Sequence, residues 1–212
     1  MSKIQQAYNV WANQYDSNNN KTRDLEAKAL RSILESLHFG SLLEIGCGTG
    51  KNSEWLVTKA SHVTAVDFSA GMLEKAKEKI KANNIEFVQA DITQLWNFTS
   101  SSFDIITFSL VLEHIENLDF IFSEAKKKIH AGGYIYIGEL HPFKQYSGSL
   151  ARFDTEQGRV ELQCFTHHIS QFVQTAKQHG FQLIDLNEWF DEDNASLPRI
   201  LSLLLQKEGI KN

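Results

Sequence analysis

Apolar residues along the chain follow two alternating kinds of spacing. Short apolar runs at residues 42–45, 63–66, 85–89 and 103–108 are typical of buried strands, and stretches with apolar residues at helical spacing lie between them. The run at residues 134–140 is almost continuous, as expected of a strand that is covered on both faces. Strands that alternate with helices in this way predict an α/β fold with a doubly wound, mostly parallel sheet.

The alternation ends at residues 142–165, which hold one of the two prolines and several aromatic and charged residues. Long irregular segments in compact domains are commonly functional, so this segment is predicted to be a lid or an inserted hairpin with a strand at 160–165. A helix at residues 169–179 follows, and then two strands at residues 181–189 and 199–206, joined by an acidic turn. Two strands joined without a helix imply an antiparallel hairpin at the edge of the sheet.

The sequence predicts one domain that spans residues 1–212. Its composition shows no linker, and 42% of its residues are hydrophobic, which is enough for one substantial core. Residues 1–40 are expected to form N-terminal cap helices, and residues 142–165 are expected to be a lid or a substrate segment.

The charge balance argues against a polyanionic partner. The net charge is −5 and the lysine and arginine residues are scattered, so we expect no nucleic acid partner. Apolar runs stop short of the roughly 18 residues that span a bilayer, so we expect no membrane partner and a soluble, cytoplasmic monomer or homodimer. Cys47 and Cys164 lack the spacing of a disulfide framework or a zinc site, so no metal is expected.

The most informative motif follows the first predicted strand. Gly46, Gly48 and Gly50 occupy alternate positions, and Asp67 ends the second strand 17 residues after Gly50. Glycine has no Cβ and tolerates positive φ, so a ligand can lie against the main chain there. Ligands of open parallel sheets bind beyond the carboxyl ends of the strands, and the motif therefore predicts a small-molecule site at that edge.

The spacing of the glycines also bears on the ligand. A dinucleotide-binding turn, G-x-G-x-x-G, needs a glycine at position 51, where this chain has Lys51, and the phosphate loop G-x-x-x-x-G-K-S/T is absent. The Asp67 carboxylate is placed to accept both hydroxyls of a ribose, and Asp91 is placed to accept the amino group of a purine. A phosphate-free nucleoside that carries cationic groups is therefore favoured over NAD or ATP.

Stretches covering roughly residues 1–140 resemble, in order, class I S-adenosylmethionine-dependent methyltransferases of the small-molecule type. They are residues 42–50, 63–69 with Met72 and Leu73, 87–92, 103–115 and 132–137. The resemblance implies a Rossmann-like fold with a seven-stranded sheet, S-adenosyl-L-methionine as the cofactor and S-adenosyl-L-homocysteine as its product. It also implies methyl transfer to a small-molecule acceptor by in-line displacement.

The resemblance further implies which residues bind the cofactor. Gly46 and Gly48 would lie against its methionine moiety, Glu44 would hold the glycine turn, and Asp67 would accept the ribose hydroxyls. Aromatic residues of an N-terminal helix at residues 8–16 would close over the cofactor. The complete implied set is Tyr15, Glu44, Gly46, Gly48, Gly50, Asp67, Phe68, Met72, Asp91, Ile92, Ser109 and Leu110.

Methyl transfer from a sulfonium requires alignment first, and proton removal only where the acceptor needs it. His114, after the fourth strand, and His141, after the fifth, are the candidate general bases because imidazole titrates near neutral pH. A capping or packing role for either histidine stays open. Candidate substrate-binding residues lie in or near the irregular segment: Tyr146, Arg152, His167 and His168, with Glu139 and Arg159 as further possibilities.

Other functions are compatible with parts of this pattern. A non-catalytic protein that binds or senses S-adenosylmethionine would use the same cofactor residues, so the sequence leaves it open. An NAD-dependent oxidoreductase is disfavoured by Lys51. A nucleic-acid amino-methylase of similar fold would carry an Asn/Asp-Pro-Pro-aromatic motif after the fourth strand, and the only prolines here are Pro142 and Pro198.

Overall fold

The computed structural model describes most of the chain. The described residues are 5, 8, 9, 12, 20–148, 152–155, 158–161 and 163–209. The predictions for Tyr15 and for the side chains of Arg152 and Arg159 lie outside what is described.

Strands and helices alternate from Lys21 onwards. The strands are, in chain order, β1 (Ser41–Ile45), β2 (His62–Asp67), β3 (Ile85–Gln89), β4 (Phe103–Ser109), β5 (Ile129–Leu140), β6 (Arg152–Thr155), β7 (Gly158–Glu161), β8 (Phe181–Asp191) and β9 (Asn194–Lys207). The helices are α1 (Lys21–Leu34), α2 (Ser53–Leu56), α3 (Ala70–Lys79), α4 (Leu118–Lys128), α5 (Pro142–Tyr146) and α6 (Ile169–Gln178), and a 3₁₀ turn spans Leu112–His114. Within the described ranges, no helix combines the length and the apolar character that crossing a bilayer requires.

The described strands form one large sheet and one small hairpin. The large sheet has seven strands in the order β3-β2-β1-β4-β5-β9-β8, and β6 pairs with β7 alone. Strands β1 to β5 are parallel, while β9 runs antiparallel to both β5 and β8. This topology confirms the predicted doubly wound sheet with its antiparallel C-terminal edge. Strand order reverses between β1 and β4, which is where such sheets bind ligands.

The core covers both faces of the sheet because successive strand residues point to opposite sides. Leu42 packs in the cluster that includes Leu30 of α1 on one face. Its neighbour Leu43 packs on the other face, in the cluster that includes Phe122 of α4 and Phe172 of α6. Both faces are therefore apolar, which explains why the central strands read as nearly continuous apolar runs.

Helix α3 is capped by the serine that precedes it. Ser69 Oγ accepts a hydrogen bond from Met72 N at 3.2 Å, and Lys77 and Lys79 lie in the last turn, where positive charge favours the helix dipole. The cap sets the direction of the chain directly after Asp67. The end of β2 is thereby held beside the turn that follows β1.

The irregular segment at residues 142–165 differs from its predicted strand. Helix α5 begins it, and β7 ends at Glu161 rather than continuing to Phe165. Past the hairpin the chain crosses to the turn after β4, where Phe165 N donates to Glu113 O at 2.7 Å. This backbone bond holds residues 163–168 alongside the 3₁₀ turn.

Candidate functional site

A cavity of about 230 Å³ opens at the carboxyl ends of β1, β2 and β4, next to the reversal of strand order. Its described lining includes two carboxylates, and none of the lining residues in the described part of the chain is a lysine or an arginine. This charge pattern favours a ligand that carries cationic groups. The lining residues are Tyr8, Ile45, Gly46, Gly48, Val66, Asp67, Phe68, Met72, Ala90, Asp91, Ile92, Thr93, Ser109, Leu110, Val111, His114 and Ile115.

The glycine turn after β1 forms one wall of the cavity. All three glycines have positive φ, and a Cβ added at Gly46 would lie 2.9 Å from Val111 Cβ. Gly46 is thus required both for the backbone conformation and for the close approach of the turn after β4. A Cβ at Gly50 would instead lie 2.7 Å from Ile80 Cδ1, so Gly50 lets the loop pack against the end of α3 rather than line the cavity.

Asp67 joins the glycine turn to the start of α3. Its Oδ2 accepts from Gly48 N and its Oδ1 from Ser69 N, each at 2.8 Å. Burial raises the pKa of Asp67 to about 6, although these backbone donors oppose the shift, so the carboxylate is mostly ionised at neutral pH. Each carboxylate oxygen has a second lone pair, and the pair of oxygens can therefore also accept from a diol in the cavity.

The opposite end of the cavity is apolar with one exposed carboxylate. Phe68, Met72 and Ile92 line it, and Met72 and Ile92 are buried. Asp91 lies at the rim, where its Oδ1 accepts from Thr93 N at 2.9 Å and from Thr93 Oγ1 at 2.7 Å. Its Oδ2 remains available to an amino group of a flat heterocycle placed between the apolar side chains.

The turn after β4 is strained and is held by a buried carboxylate. Leu110 has φ of 54°, the one positive value at a non-glycine residue in the described ranges, and its N donates to Gly138 O at 2.8 Å. Glu139 Oε1 accepts from Val111 N at 3.0 Å and from Leu112 N at 2.8 Å. Burial raises the pKa of Glu139 to about 8. Glu139 thus positions the turn that carries Leu110 into the cavity, instead of facing a ligand itself.

His114 lies in the cavity wall with one defined tautomer. Its Nδ1 lies 3.0 Å from Gln163 O, and because a carbonyl can only accept, Nδ1 carries the proton. In the neutral imidazole, Nε2 then accepts from the Tyr8 hydroxyl at 2.9 Å. His114 therefore joins the N-terminal region to residues 163–168 and presents a basic nitrogen at the cavity.

Comparison with known proteins supports a methyltransferase domain in this chain. Residues 43–137 match the methyltransferase domain family. The chain is 28% identical over 191 residues to malonyl-[acyl-carrier protein] O-methyltransferase of Paenibacillus sp. (strain JDR-2), covering 84% of this chain and 64% of that relative. It thus spans slightly less than two thirds of that relative's length. These matches support the resemblance to class I S-adenosylmethionine-dependent methyltransferases.

Solved structures agree with this family. The DhpI–SAH complex superposes with a TM-score of 0.77 at 20% identity, covering 98% of this chain and 96% of DhpI. The N-methyltransferase NodS from Bradyrhizobium japonicum WM9, in complex with S-adenosyl-L-homocysteine, superposes with a TM-score of 0.74 at 16% identity, covering 97% and 99% of the two chains. These structures confirm the predicted Rossmann-like fold, and the match of residues 43–137 supports the predicted methyltransferase family.

The other candidate residues lie outside the cavity lining. His141 is buried, with Nδ1 accepting from Phe143 N at 3.1 Å and Nε2 donating to Glu188 Oε1 at 2.8 Å, so it caps α5. His167 Nε2 donates to Ile115 O at 2.7 Å, and so holds the 3₁₀ turn from behind. Tyr146 and His168 hydrogen-bond to each other at 2.6 Å and are exposed.

Sequence reasoning missed a buried glutamate. Glu26 on α1 is 2% exposed, and it lies one helical turn before Leu30 on the face that packs against the sheet. The signal in the sequence that could have indicated this residue is a charged side chain on a helix face that is otherwise apolar. Gln163, which sets the tautomer of His114, gave no signal because its contact depends on the path of the chain after β7.

Glu44 holds the glycine turn from inside the core. Ser53 Oγ donates to Glu44 Oε2, which ties β1 to α2, and Glu44 is 3% exposed. Burial, together with the nearby Glu26 and Asp67, raises the pKa of Glu44 to about 8. Glu44 therefore ties β1 to α2 from within the core, and it is not among the described residues that line the cavity.

The raised pKa of Glu44 predicts how stability depends on pH. The folded state holds this proton up to about pH 8, whereas the unfolded chain releases it near pH 4.5, so the free energy of unfolding falls as pH rises between these values. Glu44→Gln should reduce that fall between pH 5 and pH 8 by about 1 to 3 kcal/mol in chemical denaturation. The exposed Glu116→Gln should keep the parental profile, and an unchanged profile in Glu44→Gln would contradict the assignment.

Proposed function

We propose that this chain transfers the methyl group of S-adenosylmethionine to a small-molecule acceptor bound beside His114, by in-line displacement at the sulfonium carbon. In the proposed orientation the adenine lies against Phe68 with its amino group towards Asp91. The ribose hydroxyls donate to Asp67, and the methionine end extends towards Ser109. The sulfonium is then in the middle of the cavity, between the glycine turn and the turn after β4.

The position of His114 is the single observation that carries the proposal. Its unprotonated Nε2 is directed at the Tyr8 hydroxyl in the cavity wall, while Gln163 O holds the Nδ1 proton. An acceptor O–H or N–H that takes the place of the Tyr8 hydroxyl would lie within reach of this base. The methyl group and the base would then be on opposite sides of the acceptor atom.

The remaining chemistry is alignment in a site with little water. The apolar residues Ile45, Val66, Val111 and Ile115 support the proposal because they exclude water around a displacement in which positive charge moves away from sulfur. The carboxylate of Asp67 favours the sulfonium before transfer. Binding energy at the nucleoside end can thus hold the methyl group in line with the acceptor.

The surroundings of the cavity support a small acceptor. Tyr8 and Gln163, each bonded to His114, bring two segments of chain together at the site. The net charge of −5 gives no electrostatic attraction for a nucleic acid. NodS, the structural neighbour described above, is an N-methyltransferase by its title, and the Paenibacillus relative is an O-methyltransferase by its name. We propose an acceptor whose oxygen or nitrogen loses a proton during methylation.

The proposal is tested by adding S-adenosylmethionine with an isotopically labelled methyl group and the protein to a cell extract freed of macromolecules. Labelled small molecules should form with the parental chain, and their rate of formation should fall with Asp67→Ala when S-adenosylmethionine is kept below saturation. A parallel reaction with the protein and nucleic acid fractions is the comparison. Label that enters only those fractions would contradict a small-molecule acceptor, and no label in any fraction would contradict methyl transfer.

A further inference from the structure

A buried carboxylate lies directly behind the cavity wall. Glu26 Oε2 accepts from Asn52 Nδ2 at 2.9 Å, and Glu26 Oε1 accepts from the Tyr136 hydroxyl at 3.2 Å. Ser109 lies close enough to this carboxylate to lower its pKa, and Ser109 itself lines the cavity. One residue therefore separates Glu26 from the cavity, at the end of β4.

This carboxylate is ionised at neutral pH without a cation in hydrogen-bonding contact among the described residues. Burial raises the pKa of Glu26 to about 6, against the opposing effect of nearby polar side chains and the more distant Lys51. Glu44, the other acid that faces it, has a pKa of about 8 and is largely protonated at pH 7. Burying a charge costs folding free energy, and neutral donors offset only part of that cost. A nearby cation offsets more of it.

The same place has a second acceptor that lacks a donor. Asn52 is 8% exposed, and its Oδ1 has no hydrogen-bond partner within the described part of the chain. The Nδ2 of the same side chain donates to Glu26. The unpaired Asn52 Oδ1 therefore belongs to an amide group that contacts the Glu26 carboxylate. Buried acceptors are normally paired, so an unpaired acceptor beside a buried carboxylate is consistent with a further donor in this region.

The cofactor supplies such a donor if it binds as proposed above, because its methionine end then reaches Ser109 with a primary ammonium. We propose that Glu26 supplies the negative charge that stabilises this ammonium, acting from behind Ser109. The inference rests on the proposed orientation of the cofactor. Glu26 is a binding residue in this account, and it takes no part in methyl transfer.

A purely structural role for Glu26 makes different predictions. Its bonds to Tyr136 and Asn52 tie α1 to β5 and to the start of α2, so a structural glutamate would matter to stability alone. Glu26→Gln keeps the size and an acceptor oxygen but removes the charge. Tyr136→Phe removes one of the ties and keeps the carboxylate, so it is the matched control at pH 8, where the loss of one donor leaves Glu26 ionised.

Two ligands separate the methionine end from the nucleoside end. S-adenosylhomocysteine carries the ammonium, and 5′-methylthioadenosine has the same nucleoside thioether without the amino-acid end. By calorimetric titration, Glu26→Gln should weaken S-adenosylhomocysteine binding about tenfold or more while 5′-methylthioadenosine binding changes less than about twofold. Tyr136→Phe should lower the melting temperature and leave the ratio of the two affinities unchanged.

The parental chain provides a measurement that does not depend on a variant folding. The affinity ratio of S-adenosylhomocysteine to 5′-methylthioadenosine should fall as pH is lowered from 7.5 to 5, because Glu26 is protonated below about pH 6. Protonation of Asp67 affects the nucleoside end shared by both ligands, and so cancels in the ratio. A ratio that is constant with pH, or equal losses of both ligands in Glu26→Gln, would overturn the inference.

Failure of the proposed orientation is distinguishable from failure of this inference. Asp67→Asn should weaken both ligands, since both carry the ribose. If Asp67→Asn weakens both but Glu26→Gln weakens neither, only the role of Glu26 is wrong. If Asp67→Asn weakens neither ligand, the orientation itself is wrong and the inference falls with it.

Discussion

Replacing Asp67 with alanine is expected to weaken S-adenosylhomocysteine binding by about 1 to 3 kcal/mol, the cost of removing a buried hydrogen-bond partner. The carboxylate accepts hydrogen bonds from Gly48 N and Ser69 N, each at 2.8 Å. The variant therefore loses both the proposed ribose acceptor and the anchor of the glycine turn. Calorimetric titration measures the affinity, and thermal unfolding measures any loss of stability.

Asp104 offers a matched control for this variant. Its Oδ2 accepts from Gly40 N at 2.9 Å and from Ser41 N at 2.8 Å, the same kind of backbone anchor at the amino end of β1. Asp104→Ala should lower stability and leave cofactor affinity unchanged. Equal affinity losses in the two variants would show that Asp67 acts only through stability, and an unchanged affinity in Asp67→Ala would contradict the ribose assignment.

Replacing His114 with alanine is expected to lower kcat for methyl transfer by about 10² to 10⁴, the usual contribution of a general base. The variant removes Nε2, which faces the Tyr8 hydroxyl, together with Nδ1, which donates to the Gln163 carbonyl. Cofactor affinity should change little, because the proposed orientation assigns the nucleoside to Asp67 and the glycine turn. The measurement is the initial rate with the acceptor identified by labelled methyl transfer.

His141→Gln is the comparison for the His114 variant. His141 caps α5 and bonds to Glu188, so its replacement should lower the melting temperature and keep kcat within about a factor of three of the parental value. The reverse result, a large loss of kcat for His141→Gln and none for His114→Ala, would indicate that His141, after the fifth strand, is the general base.

Much of the cofactor end of the site could be predicted from the sequence because its signals are local. The positive φ of Gly46 and Gly48 follows from glycines at alternate positions after a strand, and the cap at Ser69 follows from a serine before a helix. Parallel strands bring their carboxyl ends to one edge, and so Asp67 and Ser109 line one cavity although they are far apart in the chain.

The acceptor end could not be predicted in the same way because it depends on long-range chain paths. His114 and His141 both follow strands, and the sequence treats them alike. They differ because Gln163 and Tyr8 reach His114, whereas Glu188 on the edge hairpin reaches His141. These partners are separated from the histidines by about 50 to 100 residues, and no periodicity or turn signal reports such contacts.

Calorimetric titration with S-adenosylhomocysteine and with NAD tests most directly the central claim that the glycine turn and Asp67 hold a phosphate-free nucleoside. The account predicts one molecule of S-adenosylhomocysteine bound per chain and no measurable heat with NAD. Binding of NAD without binding of S-adenosylhomocysteine would contradict it.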